Sequence, residues 1–180
     1  MTALDLRWLT SPDQVDDDLR PALIACWRDV SNAGGAVGFP FLPVTDDDVA
    51  PVVDELVAGL HPTLCRLLVA EDGGSLAGWL VLHGNAHALR AHRGRVARVQ
   101  TALTHRGAGV GAVLMTEVAR SARDDLGLAQ LHLEVRGGTG TEAFYARFGW
   151  HEAGRYPRAL RLYADDLRDE ILMYLDLPAA

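Results

Sequence analysis

Residues 104–114, Thr-His-Arg-Gly-Ala-Gly-Val-Gly-Ala-Val-Leu, are the stretch of this sequence most suited to holding a ligand. Gly107, Gly109 and Gly111 let a backbone turn sharply and pass close to a bound group. The flanking residues decide what kind of group. Residues 95–103 alternate, with β-branched side chains, and predict a strand; after the turn, Val110, Val113, Leu114, Val118 and Ala122 recur at helical spacing. A strand, a glycine turn and a helix in succession leave the first N–H groups of the helix unpaired at the positive end of its dipole, which suits a phosphate. Arg106 adds a full charge at the mouth.

Three kinds of phosphate loop have glycines at such spacing. One that ends Gly-Lys-Ser/Thr, to meet a terminal phosphate and magnesium, is excluded because this turn ends Gly111-Ala112-Val113. The dinucleotide pattern G-x-G-x-x-G/A is formally met by Gly107, Gly109 and Ala112, with Glu134 placed like a ribose-binding acid. The turn comes past the middle of the chain, however, and the remaining residues are too few for the other strands of a doubly wound sheet. Third, Arg106-x-x-Gly109-x-Gly111 has the form R/Q-x-x-G-x-G/A. It resembles the acyl-CoA pyrophosphate loop of the GNAT superfamily of N-acetyltransferases. Residues 143–150, Ala-Phe-Tyr-Ala-Arg-Phe-Gly-Trp, resemble that superfamily's second signature, A-x-Y-x-x-x-G-F, with Trp150 in the usual Phe place. The resemblance spans residues 64–156.

The resemblance implies an acetyl-CoA-dependent N-acetyltransferase that moves the acetyl group directly to a primary amine, without a covalent enzyme intermediate or a metal. It implies that backbone N–H groups of Gly107, Ala108, Gly109, Val110, Gly111 and Ala112 hold the pyrophosphate, with Arg106 assisting. The preceding strand is expected to splay from its neighbour and to bind the pantetheine arm and the acetyl oxygen through peptide groups at Val99, Gln100 and Thr101. Tyr145 matches the tyrosine that donates a proton to the departing thiolate, a role suited to a phenol of ordinary pKa about 10. Two positions depart from the pattern: Leu103 stands where many members have Pro, and Gly138 where Asn is frequent, so one side-chain contact to the cofactor is missing. The general base stays open. No acidic residue lies between Arg90 and Leu103, where some members use a glutamate; Glu134, His83 and His132 are strand residues able to face the cleft, and a water chain is the alternative. The competing class is an acyl-CoA sensor or interaction domain without turnover, against which Tyr145 argues, since a pure binder needs no proton donor. Homodimerisation is left open.

The elements that must position these residues read β-α-α-β-β-β-α-β-α-β-β, a mixed α/β fold with a central, mostly antiparallel sheet, as the GNAT resemblance implies. Residues 4–9 alternate and predict the first strand. Leu19, Leu23, Cys26, Trp27 and Val30 predict a helix, and residues 31–38 a glycine-rich loop ending it. Phe39 and Phe41, held between prolines, are candidates to line a substrate pocket or simply to anchor a loop. Thr45 to Asp48 offers caps for a second helix, with Pro51 in its first turn if Asp48 is the cap, and His61-Pro62 closes it. Residues 64–70 and 75–83 predict two strands joined by a hairpin at Asp72-Gly73-Gly74, and residues 95–103 the next. A helix over 110–126, a strand over 130–135, a loose link over 136–140, a short helix over 142–148 and strands over 150–156 and 170–177 complete the order.

With 180 residues, 49% of them hydrophobic, the chain suits a single domain over 1–180 with a real core. No apolar stretch approaches membrane-spanning length and the first residues lack a signal-like pattern, so a cytoplasmic protein without a membrane partner is expected. Cys26 and Cys65 sit in apolar sequence and predict buried free thiols. The formal charge of −7 argues against nucleic acid, which calls for clustered Lys and Arg. Acidic residues concentrate in the first third and over 165–170; they would favour a cationic amine, or merely complement helix N-termini. Polyamines, aminoglycoside-like compounds, amino acid derivatives and protein N-termini are all acceptable acceptors, with a small amphipathic amine preferred.

Overall fold

A computed structural model of the protein describes residues 4–35 and 38–178, and its elements follow the expected order. Ala36 and Val37 of the expected glycine-rich loop lie outside the described residues, as do Met1, Thr2 and Ala3. After strand β1 (Asp5–Leu9), helix α1 (Leu19–Asn32) carries Pro21 in its first turn, where the missing N–H breaks no bond, and buries Leu23, Trp27 and Val30. Helix α2 (Asp46–Ala58) is capped by Thr45, not Asp48: the Thr45 N–H and hydroxyl reach Asp48 Oδ2 at 2.8 and 2.7 Å. That reciprocal pair starts the helix three residues earlier than a cap at Asp48 would, so Pro51 falls inside it. The carbonyl that Pro51 cannot serve belongs to Asp47, which is exposed and can bond water. The helix ends at Gly59, before His61-Pro62.

Strands β2 (Cys65–Asp72) and β3 (Ser75–His83) form the expected hairpin. Gly73 and Gly74 have φ of +56 and +83, the pair of positive values that lets a two-residue turn follow the strand twist. Strand β4 (Arg93–Thr101), helix α3 (Val110–Asp124), strand β5 (Gln130–Arg136) and helix α4 (Thr141–Ala146) come next. Leu103 belongs to a 3-10 turn after β4, and Arg136 is the last residue of β5, not the start of a loose link.

The last two strands, β6 (His151–Tyr163) and β7 (Asp166–Asp176), are longer than the sequence pattern indicates. The apolar residues of 157–169 run consecutively, as at Ala159-Leu160 and Leu162-Tyr163-Ala164, without sustaining an alternation, and Pro157 speaks against a strand. In the fold they form an exposed two-stranded ribbon, and Pro157 sits where the pairing register shifts between Tyr156 and Leu160, beside Arg158 with φ +56. A bulge is one of the places a sheet tolerates proline.

The seven strands are ordered β1-β2-β3-β4-β5-β7-β6, and every neighbouring pair is antiparallel except β4 and β5. Helices α3 and α4 cover one face, burying Leu80, Leu82, Leu131 and Ile171 with Leu114 and Val118. Helices α1 and α2 cover the other, over Leu67, Val69, Trp79 and Val81. Helix α3 is also tied by polar contacts: Trp8 Nε1 donates to Glu117 at 2.8 Å, and the buried Arg66 donates to Ser121 Oγ at 3.1 Å. Its N-terminus rests on Gly78 of β3. A Cβ there would lie 2.6 Å from the Gln100 carbonyl oxygen and 2.7 Å from Val110 Cγ1, so only glycine lets the helix start this close to the sheet.

Gly78→Ala should therefore push α3 off β3 and β4. We expect a loss of about 1–3 kcal/mol, the usual cost of overpacking, which corresponds to a melting temperature lower by roughly 3–10 °C. Thermal unfolding of the variant at an unchanged melting temperature would mean that the N-terminus of α3 is not held there.

Candidate active site

The ladder between β4 and β5 contains three pairs, Arg93↔Gln130, Gly94↔Leu131 and Arg95↔His132, and then stops. Beyond it the two strands diverge. β4 is deflected by a bulge: Trp79 pairs with Gln100 but Val81 with Ala97, so β4 holds one residue more than β3 across that interval, and Arg98 takes φ +56. A cavity of about 760 Å³ opens at the divergence, a size typical of small-molecule sites. Its wall draws on both faces of the sheet. Val96, Leu133, Val135 and Tyr145 belong to the α3/α4 side, whereas Val81, His83 and Arg95 belong to the α1/α2 side. The opening thus passes through the sheet.

The glycine turn lies at the end of β4. Gly107 and Gly109 have φ of +80 and +84, and Gly109 is the N-cap of α3. A Cβ on either would meet no atom within 4 Å, so it is backbone conformation and not crowding within the protein that calls for glycine. Among the described residues, the N–H groups of Gly107, Gly109, Val110 and Gly111 have no backbone acceptor, while Ala108 donates to the His105 carbonyl and Ala112 to that of Gly109. The turn therefore presents four donors at the positive end of a 15-residue helix. Arg106 is exposed beside them and forms no ion pair among the described residues. Gly111 faces Phe144 of α4, whose ring would lie 3.0 Å from an added Cβ.

Of the strand residues, Val99 is on the cavity wall; Gln100 is 2% exposed and Thr101 half-buried, and neither side chain lines it. A role for these two through the backbone does not depend on where the side chain goes. Tyr145 is 8% exposed, packs edge-on to Phe144 and Trp150, and lines the cavity. Burial pushes its phenol up to about 12. Phe39 lines the cavity and packs against Trp27 at 5.3 Å between ring centroids, whereas Phe41 is 65% exposed and off the wall. The proline-flanked pair is split because Phe41 adopts φ +57, which turns the chain between the two rings. Glu134 lines the cavity, 3.9 Å from Arg95.

The two histidines differ. His83 lines the cavity and its imidazole is pushed down to about 4 by burial first, then by the charges of Arg95 and Arg98. His132 is also lowered, by burial and then Arg93 and Arg95, but it is not on the wall, and its Nδ1 is buried without a partner among the described residues. Both rings are neutral near pH 7. Cys26 is buried as expected; Cys65 is only half-buried and lies on the wall, and burial raises both thiols.

Sequence reasoning missed the arginines. Arg95, Arg98, Arg136 and Arg161 all line the cavity. Alternation could have placed Arg136, two residues beyond Glu134 on the face opposite Leu133 and Val135, had β5 been extended by one residue. Arg161 lies in the ribbon, which periodicity does not reveal. The acid-rich segments mostly lie elsewhere: Asp46, Asp47 and Asp48 fill the first turn of α2, and Asp16 accepts from the Leu19 N–H at the start of α1. Of those segments only Glu55 and Glu170 reach the wall. Among the described residues, no three His, Cys, Asp or Glu side chains are grouped to hold a metal.

The depressed His83 has a consequence for stability. A group whose folded pKa lies near 4 against an ordinary 6.5 stabilises the fold fully above pH 6.5, and that contribution is lost as pH falls from 6.5 towards 4. His83→Gln should thus lose less stability than the parent chain between pH 7 and pH 4.5, read as the urea midpoint at each pH. Parallel curves for the two proteins would show that His83 titrates normally.

The profile of the Acetyltransferase (GNAT) family matches residues 15–150. No curated protein matches the chain at a significant level. Among solved structures, an N-acetyltransferase from Staphylococcus aureus Mu50 superposes with a TM-score of 0.74 at 15% identity, over 98% of this chain and 100% of the other. The ribosomal-protein-alanine N-acetyltransferase from Brucella melitensis gives 0.73 at 20% identity, over 97% and 100%. The yncA protein of Salmonella typhimurium, solved with its cofactor acetyl-CoA, gives 0.73 at 15% identity, over 99% and 96%. At these identities the superpositions speak for the fold alone, a mixed α+β architecture with an open, mostly antiparallel seven-stranded sheet. The family profile covers three quarters of the sequence, including the glycine turn and Tyr145, and on that ground the chain belongs to the GNAT family of acetyltransferases.

Proposed function

We propose that the chain transfers an acetyl group from acetyl-CoA directly to the primary amine of a small molecule. The observation that carries this reading is what the C-terminal half of β4 joins: a cavity through the sheet where β4 leaves β5, walled by β4 as far as Val99, and beyond the end of the strand, off that wall, a glycine turn with four N–H groups that have no backbone acceptor among the described residues. The residues present fit the coenzyme. The donors at Gly107, Gly109, Val110 and Gly111 suit a pyrophosphate, with the Arg106 charge close by, and the unpaired edges of β4 and β5 suit an amide-bearing arm.

When bound, acetyl-CoA supplies a thioester activated towards attack by an amine. The chain's part is to orient the two reactants and manage protons. Acetyl transfer joins the amine nitrogen to the carbonyl carbon and breaks the C–S bond; the nitrogen gives up a proton and the sulfur finally gains one. Peptide N–H groups of residues 99–101 that β5 leaves unpaired are the donors available to the carbonyl oxygen. Tyr145 stays protonated at every physiological pH, so its hydroxyl can donate a hydrogen bond to the departing sulfur. Full transfer from a phenol near 12 to an alkyl thiolate, whose thiol has a pKa of about 8.5, is uphill. Polarisation by Tyr145, with the proton delivered in the end from the amine, fits that order better than donation by the phenol alone. His83, neutral and depressed, is a weak base, and Glu134 is the carboxylate nearest the divergence on the acceptor side.

Two measurements test the reading. Acetyl-CoA or coenzyme A at about 100 times its dissociation constant should stabilise the protein by about 2.7 kcal/mol, a rise in melting temperature of roughly 5–10 °C, with no rise from NAD or NADP. The absence of a coenzyme A shift would overturn the proposal. Tyr145→Phe should keep that shift and lower kcat by roughly 100-fold. Unchanged turnover would remove Tyr145 from the reaction, and a normal shift without thiol release from any amine would favour a sensor.

A further inference from the structure

The cavity is chemically unlike the rest of the molecule. In a chain of formal charge −7, its wall holds four guanidinium groups against the three carboxylates Glu55, Glu134 and Glu170. Arg95 and Arg136 project, by strand alternation, on the α1/α2 side of the sheet, opposite to the side that carries Tyr145 and the glycine turn. Arg98 lies on that same side, 4.9 Å over the ring of Trp27. Arg161 reaches the cavity from the ribbon of β6 and β7. If the coenzyme enters from the α3/α4 side, these cations border the entrance left for the acceptor.

We infer that the acceptor is an amine that also carries an oxyacid group, a carboxylate or a phosphonate, held by Arg95, Arg136 and Arg161. This inference rests on the acetyltransferase reading above. The three side chains come from three different strands and are incompletely engaged within the protein. Among the described residues the one ion pair of Arg95 is the 3.9 Å approach to Glu134. Arg136 spends one N–H on the Gly34 carbonyl at 2.8 Å, and Arg161 forms no ion pair among the described residues. A planar, five-donor fork is well matched to an oxyacid, which it can hold by two parallel bonds. The electrostatics agree: Arg98 is lowered by burial and then by Arg95, and Arg136 by burial and then by Arg168. Such a wall repels a polyamine, while Glu134 still offers a partner to a single ammonium.

The test uses thiol release with saturating acetyl-CoA and three matched sets of amines: the L-amino acids, their carboxamides, and their aminophosphonate counterparts, with spermidine as a polycation. We expect at least one amino acid or aminophosphonate to have a kcat/KM about tenfold or more above its carboxamide and above spermidine. Preference between the two acid sets identifies the anion. Arg161→Gln should raise KM for the best acid about tenfold with kcat little changed, and Arg161→Lys should recover part of the loss. The inference is overturned if a carboxamide or spermidine matches the best acid. It is equally overturned if Arg161→Gln leaves KM unaltered, or if acetyl-CoA raises the melting temperature and no acid in either set is acetylated. Failure of acetyl-CoA to raise the melting temperature would instead overturn the reading beneath it.

Discussion

Two parallel strands that are neighbours in a sheet cannot be joined by a tight turn; the chain must cross from the end of one to the beginning of the other, and a helix is the usual way to do so. Among the described residues β4 and β5 are the one parallel pair, and α3 is the crossover. That constraint sets the place of the site. It obliges the N-terminus of α3 to stand at the C-terminal end of β4, so the unpaired donors of the helix and the unpaired edge of the strand face the same space. Had β4 and β5 been antiparallel, a hairpin would have sufficed, and neither the helix dipole nor the glycine turn would stand at the C-terminal end of β4.

A parallel ladder that ends after three pairs would ordinarily zip further, because both strands continue and unpaired peptide groups are costly. Several features oppose closure. The bulge at Arg98 adds a residue to β4 and bends it away from the line of β5. On the other side, β5 is held along its full length by β7, from Gln130↔Asp176 to Arg136↔Glu170, so it cannot swing to follow β4. Gly94 allows Leu82, Leu128 and Leu131 to pack tightly where the strands still touch; a Cβ there would lie 2.8 to 3.0 Å from all three. The packed base and the diverging ends together make a wedge, and Arg136 bridges its open side by bonding the Gly34 carbonyl beyond α1.

How much of the structure is legible in the sequence depends on how local each signal is. The glycine turn and the helix behind it are set by φ and periodicity within ten residues, and Gly107 and Gly109 do have the positive φ that the pattern requires. The hairpin at Gly73-Gly74 is local in the same sense. The cap of α2 is ambiguous in sequence because its two candidates, Thr45 and Asp48, act together. The β6–β7 ribbon is illegible because its apolar residues run consecutively, as at Leu162-Tyr163-Ala164, and a largely exposed ribbon needs no apolar alternation to declare itself. Phe39 and Phe41 look equivalent in sequence and differ only through the backbone angle at Phe41. The arginines of the cavity wall come from β4, β5 and β6, and no one-dimensional pattern brings those three together.

The charge on that wall also bears on why no general base stands out. An amine must shed its proton before it attacks, and the usual remedy is a carboxylate or imidazole poised near neutrality. Surrounding cations achieve part of this by another route, because a positive field disfavours an ammonium just as it disfavours an imidazolium. His83 registers the field, since Arg95 and Arg98 add to burial in depressing it. An acceptor amine brought to the same place is subject to the same field, and an acidic group of its own, facing the guanidinium forks, would anchor it there despite the repulsion. Proton release to water, with Glu134 nearby, then demands less of any single side chain. In the acetyltransferase reading proposed above, the acidity of the chain as a whole does not bear on this step; what bears on it is the local balance, in which four guanidinium groups on the cavity wall face three carboxylates.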